Sequence, residues 1–273
     1  MDSNNLNLRG IAVSGLVPPH SEVMSLFRRL FDGEATLRRI RLLPKSNYRD
    51  LALMDWPLLK ATAKRELATA LREEDGSSYE NVIFASSLGT MLALLALDDL
   101  FADSSAEDTA QQKIREHIRC VVCYGCPYHQ TPAFRSISGS SCFVSGVFGR
   151  TPILGGLIKR IPVWKKWHQV HQRRYWIPLG AVGVIFQAHA EFRKMVIRYA
   201  SDESAFPVPV AFLHGTEDRL SHWSGSRRVA KLLRQHFEPI ELAGNDPSLC
   251  GDPLARRALL KKAHRFVYGK KLS

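Results

Sequence analysis

Asn81-Val82-Ile83-Phe84-Ala85-Ser86-Ser87-Leu88-Gly89-Thr90 runs without a break into Met91-Leu92-Ala93-Leu94-Leu95-Ala96-Leu97. The apolar run Val82 to Phe84 predicts a buried strand, and Met91 to Leu97 a buried helix. Only small residues lie between them. A strand that turns directly into a helix crowds the side chains that flank the turn, so only Gly, Ala or Ser fit there. Ala85 and Gly89 are those flanks, and Ser87 is the apex. Such a turn presents a hydroxyl in a strained, exposed position at a helix N-terminus. There the N–H of Leu88 can stabilise a developing oxyanion. The bland alternative is a Gly/Ser-rich loop of any parallel α/β protein. A phosphate-cradling loop is excluded, because no Lys follows Gly89.

The chain has 273 residues, enough for one large α/β domain or two small ones. Apolar residues make up 45% and charged residues 23%, a globular rather than a disordered composition. Met1-Asp2-Ser3-Asn4-Asn5 is polar and lacks the apolar core of a signal peptide. No apolar run reaches the roughly 18–20 residues that span a bilayer. A cytoplasmic protein is expected, with peripheral attachment to a membrane left open. The net charge of +12 favours acidic partners such as anionic lipid, nucleic acid or a negatively charged substrate, or it only aids solubility.

The five cysteines are Cys120, Cys123, Cys126, Cys142 and Cys250. An odd count without a signal peptide argues against a disulfide framework. Cys120-x-x-Cys123-x-x-Cys126 has the spacing of an iron–sulfur ligand set. However, Val121, Val122, Tyr124 and Gly125 read as a buried strand, which sends Cys120 and Cys123 to opposite faces. Structural cysteines are expected, with no cofactor and no metal.

Taken in order, Gly10 to Leu16 predicts a central strand, Val17-Pro18-Pro19-His20 a tight loop, and Ser21 to Phe31 a helix capped by Ser21. Ala35 to Leu43 predicts a strand and Leu51 to Glu73 a helix. Ala102 to Gln112 reads as a surface loop or short helix, and Ile118 to Tyr124 as the next strand. This alternation implies parallel strands with right-handed crossovers. Pro127 to Phe206 shows no clear strand and reads as an inserted, mainly helical cap. Regular structure resumes with a strand at Pro207 to Leu213, a loop at His214 to Asp218, a helix at Trp223 to Gln235, a strand at Pro239 to Leu242 and a helix at Asp252 to Val267. The expectation is an α/β protein. It has a predominantly parallel sheet of about six strands, helices on both faces, a core of residues 1–126 and 207–273, and a cap of residues 127–206.

Ser86-Ser87-Leu88-Gly89, Val210-Ala211-Phe212-Leu213-His214-Gly215-Thr216-Glu217-Asp218 and Val13-Ser14-Gly15-Leu16 together give the chain a resemblance to the α/β-hydrolases over nearly its whole length. The first matches that family's nucleophile elbow, with Ala85 where the first Gly of G-x-S-x-G stands. The second is similar to its strand and H-G-x-x-D loop, and the third falls where it places an oxyanion N–H. The resemblance implies Ser87 as nucleophile, Asp218 as the acid that orients a histidine, and the N–H groups of Leu88 and Leu16 as the oxyanion hole. The alternative for Asp218 is a carboxylate capping the helix at Trp223.

The departure is the histidine, which the family carries after its last strand. Here that loop reads Ala243-Gly244-Asn245-Asp246-Pro247-Ser248-Leu249, and no His lies between His236 and His264. A serine hydroxyl is a weak nucleophile unless a neighbouring base accepts its proton. His222, just beyond Asp218, is the candidate substitute base. His20 is a second, and both also read as surface or cap residues. Nothing in the sequence fixes His129, His168, His171 or His189. Asp246 and Cys250 share the loop that lacks the His, and Asp246 reads as a ligand contact rather than a base.

Within Arg150 to Arg174, apolar and cationic residues interleave around Trp164 and Trp167. This stretch reads as a lid over an apolar acyl pocket, with those tryptophans as substrate contacts. It also reads as a patch for an anionic membrane surface, or as a site for an acidic carrier or substrate. No nucleic-acid motif appears, and no nucleic acid is expected. Arg256, Arg257, Lys261, Lys262 and Arg265 read as a solvated face. The functional expectation is a serine hydrolase that cleaves a small-molecule carboxylic ester or thioester through an acyl-enzyme. The alternative is a catalytically silent hydrolase fold that binds a ligand or partner.

Overall fold

The structure, a computed structural model, describes residues 8–13, 29–30, 36–40, 55–72, 79–102, 114–129, 162–165, 176–218, 221–241 and 253–269. Strands that read as continuous apolar runs are buried on both faces, and such strands assemble into parallel sheets covered by helices. β1 (Leu8–Val13), β3 (Glu80–Ser86), β4 (Ile118–Tyr124) and β7 (Val210–Gly215) are of this kind, and β2 (Thr36–Ile40) and β8 (His236–Ile240) complete a six-stranded sheet at its two edges. Their order is β2-β1-β3-β4-β7-β8, and every neighbouring pair is parallel. The chain steps outward from β1 to β2, then returns past β1 to β3. The strand order therefore reverses between β1 and β3, where open α/β sheets form a ligand crevice at their carboxyl ends. Ser87 follows β3 at that crevice.

The helices are α1 (Trp56–Arg72), α2 (Leu88–Ala102), α3 (Leu179–Ser201), α4 (Trp223–Leu232) and α5 (Pro253–Tyr268). One face of the sheet packs Ile11, Val13, Ile83, Val121 and Phe212 against α1, α2, α3 and α4. The other packs Ala12, Val82, Phe84, Val122 and Leu213 against α5. Every residue of α2 from Leu88 to Asp98 is buried, as expected of a helix that is apolar all round. Asp98 is the charged exception. It accepts hydrogen bonds from Arg198 and, at 3.0 Å, from the Tyr199 hydroxyl. Burial and then the Asp98 carboxylate push the Tyr199 phenol up to about 12. Lys60 bridges Asp99 and Glu191 at 3.0 Å each, and Trp56 Nε1 donates to Glu191 at 2.7 Å, so polar contacts tie α1, α2 and α3 together.

Three expectations change. First, the stretch expected to lack strands contains β5 (Pro162–Lys165) and β6 (Trp176–Pro178), an antiparallel ribbon. Val163, Trp164, Trp176 and Ile177 have high strand propensity, but a pairing between distant segments leaves no local period to read. Within 127–206, α3 buries Ala188, Phe192, Met195 and Val196 in the same core as α2. Second, β7 runs on to Gly215, which puts His214 inside the strand rather than in a loop. Third, β8 begins at His236. Its Pro239 lies on the edge strand, where a missing N–H is tolerated.

Cys120 faces the α5 side of the sheet and Cys123 the other, as the strand alternation requires, while Cys126, beyond the end of β4, is buried in the same cluster as Cys123. All three are free thiols, and burial pushes Cys120 and Cys126 up to about 12. Cys142, Cys250 and most of the helix expected at Ser21 to Phe31 lie outside the described residues. Among the described residues, no helix is long and apolar enough to cross a membrane.

Phe84 is fully buried in the central strand. Phe84→Ala is expected to destabilise the protein by about 3–5 kcal/mol in urea denaturation. A loss under about 1 kcal/mol would show that this part of the core is not closely packed.

Candidate active site

A single residue separates β3 from α2, and it is Ser87. Its φ is 53°, in the left-handed region that non-glycine residues rarely enter. Hydrogen bonds on both sides hold it there. Its N–H donates to the Tyr124 carbonyl at 2.9 Å, and its carbonyl accepts from the Thr90 N–H at 3.0 Å. The Thr90 hydroxyl turns back to the Ala85 carbonyl at 3.4 Å. Ala85 and Leu88 are buried, whereas Ser87 is exposed. Leu88 is the first residue of α2, so its N–H has no acceptor within the helix and can donate to an anion above Ser87. Leu16 and Trp167 lie outside the described residues. Trp164 falls in β5, but its side chain lies outside them too.

Asp218 stands at the same edge of the sheet. Gly125, directly after β4, has φ 63° and donates its N–H to the Leu213 carbonyl at 3.0 Å. A Cβ on Gly125 would lie 3.9 Å from Asp218 Oδ2. The carboxylate therefore sits over the end of β4, whose last residue, Tyr124, receives the Ser87 N–H. Asp218 Oδ1 accepts from the Ser221 N–H at 3.1 Å, and Oδ2 accepts from the Ser221 hydroxyl at 3.0 Å. The cap of α4 is His222, not Asp218.

Sequence reasoning missed His214. It is fully buried, with Nε2 lying 3.2 Å from Asp218 Oδ2 and 3.1 Å from the Ser221 carbonyl. Nδ1 lies 2.6 Å from the Ser226 hydroxyl. Two oxygen acceptors face Nε2, so Nε2 carries the proton and Nδ1 accepts from Ser226. Ser226, His214 and Asp218 thus have the composition of a catalytic triad. Ser226, however, is wholly buried and no substrate reaches it, so the network instead fixes the Asp218 loop to α4. The i, i+4 spacing of His214 and Asp218 was a readable signal. The contribution of Ser226 from the next helix was not.

His222 adopts extended geometry at the N-cap of α4, φ −79° and ψ 130°, and its Nδ1 accepts from the Ser224 N–H at 3.3 Å. The Ser224 hydroxyl lies 2.7 Å from His222 Nδ1 and 3.3 Å from His129 Nδ1. In this arrangement the His222 lone pair serves the cap and its neutral ring carries the proton on Nε2. The His222 N–H donates to the His129 carbonyl at 2.8 Å. α4 and the segment after β4 approach closely enough that a Cβ on Gly225 would lie 2.5 Å from the His129 nitrogen. His189 Nε2 lies 2.6 Å from the Tyr128 carbonyl, and the His264 ring lies tilted against Tyr268 within α5, with 4.3 Å between centroids. His20, His168, His171, Asp246 and Cys250 lie outside the described residues. Among the described residues, no imidazole is hydrogen-bonded to the Ser87 hydroxyl.

The parallel sheet with this strand order, the one-residue elbow after β3 and the carboxylate after β7 define the α/β-hydrolase fold, and the chain has that fold. It is similar to a soluble variant of monoglyceride lipase from Saccharomyces cerevisiae, with TM-score 0.69 and 11% identity over 97% of this chain and 87% of that one. It is similar also to a metagenome-derived lipolytic enzyme, with TM-score 0.63 and 11% identity over 97% and 95% of the two chains. A third likeness is to the monoacylglycerol lipase of Paleococcus ferrophilus, with TM-score 0.56 and 15% identity over 95% and 93%. No protein-family model and no curated protein matches the sequence.

Removing the Ser226 hydroxyl leaves His214 Nδ1 buried without a donor. Ser226→Ala is therefore expected to cost about 1–3 kcal/mol of stability in chemical denaturation. No loss would mean that the imidazole has another partner at Nδ1.

Proposed function

We propose that the protein is a serine hydrolase that cleaves a carboxylic ester or thioester of a small acyl substrate through an acyl-enzyme at Ser87. The observation that carries this reading is the φ of 53° at an exposed serine between a buried strand and a buried helix. Holding a non-glycine residue there costs about 1–3 kcal/mol, and strain of this kind clusters at functional sites. Glycine would relieve the strain but would remove the hydroxyl.

In the proposed reaction, Ser87 Oγ attacks the carbonyl carbon and its proton passes to a base. The carbonyl oxygen becomes an oxyanion held by the N–H groups of Leu88 and Leu16. Collapse of that intermediate expels the alcohol or thiol, which takes up the proton. Water then attacks the acyl-enzyme by the same route and releases the acid. Asp218 orients the base. His222 fills that role only by releasing the cap of α4, which frees its Nδ1. The fold likeness to lipases supports an acyl ester as the substrate class, and Trp164 and Trp167 are proposed as acyl contacts.

A second reading, a catalytically silent fold that binds a ligand or partner, draws on a specific observation. No histidine lies between His236 and His264, and no described imidazole reaches the Ser87 hydroxyl.

A fluorophosphonate probe separates the two. The hydrolase reading expects labelling of the wild type, none of Ser87→Ala, and labelling slowed by about 10²–10⁴-fold in His222→Ala. Labelling unaffected by His222→Ala would assign the base elsewhere. A wild type as inert as Ser87→Ala would establish the silent fold.

A further inference from the structure

In a parallel sheet, a helix that follows a strand begins at the carboxyl edge. α4 follows β7 and α5 follows β8, so both begin at the edge where Ser87 opens. They lie on opposite faces and bracket the edge strand β8.

Each helix presents the same order of residues along its outer surface. On α4, Trp223, Arg227 and Lys231 fall at i, i+4 and i+8, with Arg228 beside them. Trp223 is half-exposed and the three cations are exposed. On α5, Leu254 is 64% exposed, and Arg257, Lys261 and His264 follow at i+3, i+7 and i+10, all exposed. An apolar side chain therefore stands at each rim, with cations one and two turns behind it. Among the described residues, no carboxylate pairs with Arg227, Arg228, Lys231, Arg257 or Lys261. Neither helix contains an Asp or Glu, and residues 221–273 hold eleven Lys and Arg against four Asp and Glu.

We propose that the corner where α4 and α5 begin docks on an anionic lipid bilayer. Trp223 and Leu254 enter the headgroup boundary, and Arg227, Arg228, Lys231, Arg257 and Lys261 face the lipid phosphates. Depth order selects this occupant. A bilayer has an apolar layer behind an anionic one, and the surface carries apolar side chains ahead of cations. Nucleic acid or an acidic polymer would match the cations but offers no apolar layer ahead of them. Trp223 stacks on Phe237 at 6.3 Å and on His222 at 5.7 Å, which stiffens the anchor. The proposal goes beyond the hydrolase reading, and binding is measured without turnover, so either can fail alone.

The test is co-sedimentation of the full chain with phosphatidylcholine vesicles, with and without phosphatidylserine. The wild type is expected to bind only the anionic vesicles and to be released by salt. Each cation near such a surface contributes about fivefold, so Arg227→Gln/Arg228→Gln/Lys231→Gln should weaken binding on the order of 100-fold. Lys64→Gln/Arg65→Gln/Arg72→Gln on α1 loses the same net charge and should retain binding. Thermal melting checks that both variants fold, and the salt dependence of the wild type stands apart from either. Equal loss in the two triple variants would overturn the proposal in favour of general attraction by a +12 chain. Binding that ignores phosphatidylserine would overturn it as well. Loss of oligonucleotide or polyglutamate binding in the α4 variant, with vesicle binding intact, would make the partner an acidic polymer and also overturn it.

Discussion

A strand and a helix joined by one residue impose the constraint on which the rest of the site depends. The junction at Ser87 requires a left-handed backbone, a small residue on each side and a neighbouring strand to receive its N–H. The sheet supplies the last of these, because β4 lies in register with β3, pairing Ser86 with Tyr124. The buried helix α2 supplies the anchor on the other side. Strain at one residue is thus balanced by a core that extends over both faces of the sheet.

The second half of the site is built by a different device. The next-to-last residue of β7 is a histidine that never reaches solvent, and its two ring nitrogens connect the loop after the strand to the helix after the loop. Ser221 adds two donors to the same carboxylate. Asp218 is therefore positioned by its own surroundings before any catalytic imidazole is considered. An active hydrolase and a silent relative could both preserve such a loop, since its cohesion is independent of turnover.

The imidazoles near the site form a separate cluster. His222, Ser224 and His129 share hydrogen bonds at the start of α4, where Gly225 lets the segment after β4 come close. In that state the basic nitrogen of His222 has a structural occupation. With His222 as the proposed base, chemistry at Ser87 would need a rearrangement at the first turn of α4. That turn also carries Trp223 and lies at the rim where the apolar and cationic side chains of α4 and α5 are ordered, so contact with a surface there would act on the same turn.

Much of the architecture was legible in the residues themselves. Buried parallel strands are continuous apolar runs, so β1, β3, β4 and β7 stand out, and the crowding rule identifies Ser87 without coordinates. The strand alternation alone separates Cys120 from Cys123. What stayed hidden depends on partners distant in the chain. The β5–β6 ribbon pairs residues more than ten positions apart, and the packing of α3 on α2 joins segments far apart in the chain. His214 looks like a loop residue until Ser226 is placed beside it, and His222 looks like a free base until Ser224 takes its lone pair. Local patterns record what a segment buries, but which polar group faces which is decided only when separate elements come together, and that decision sets the chemistry.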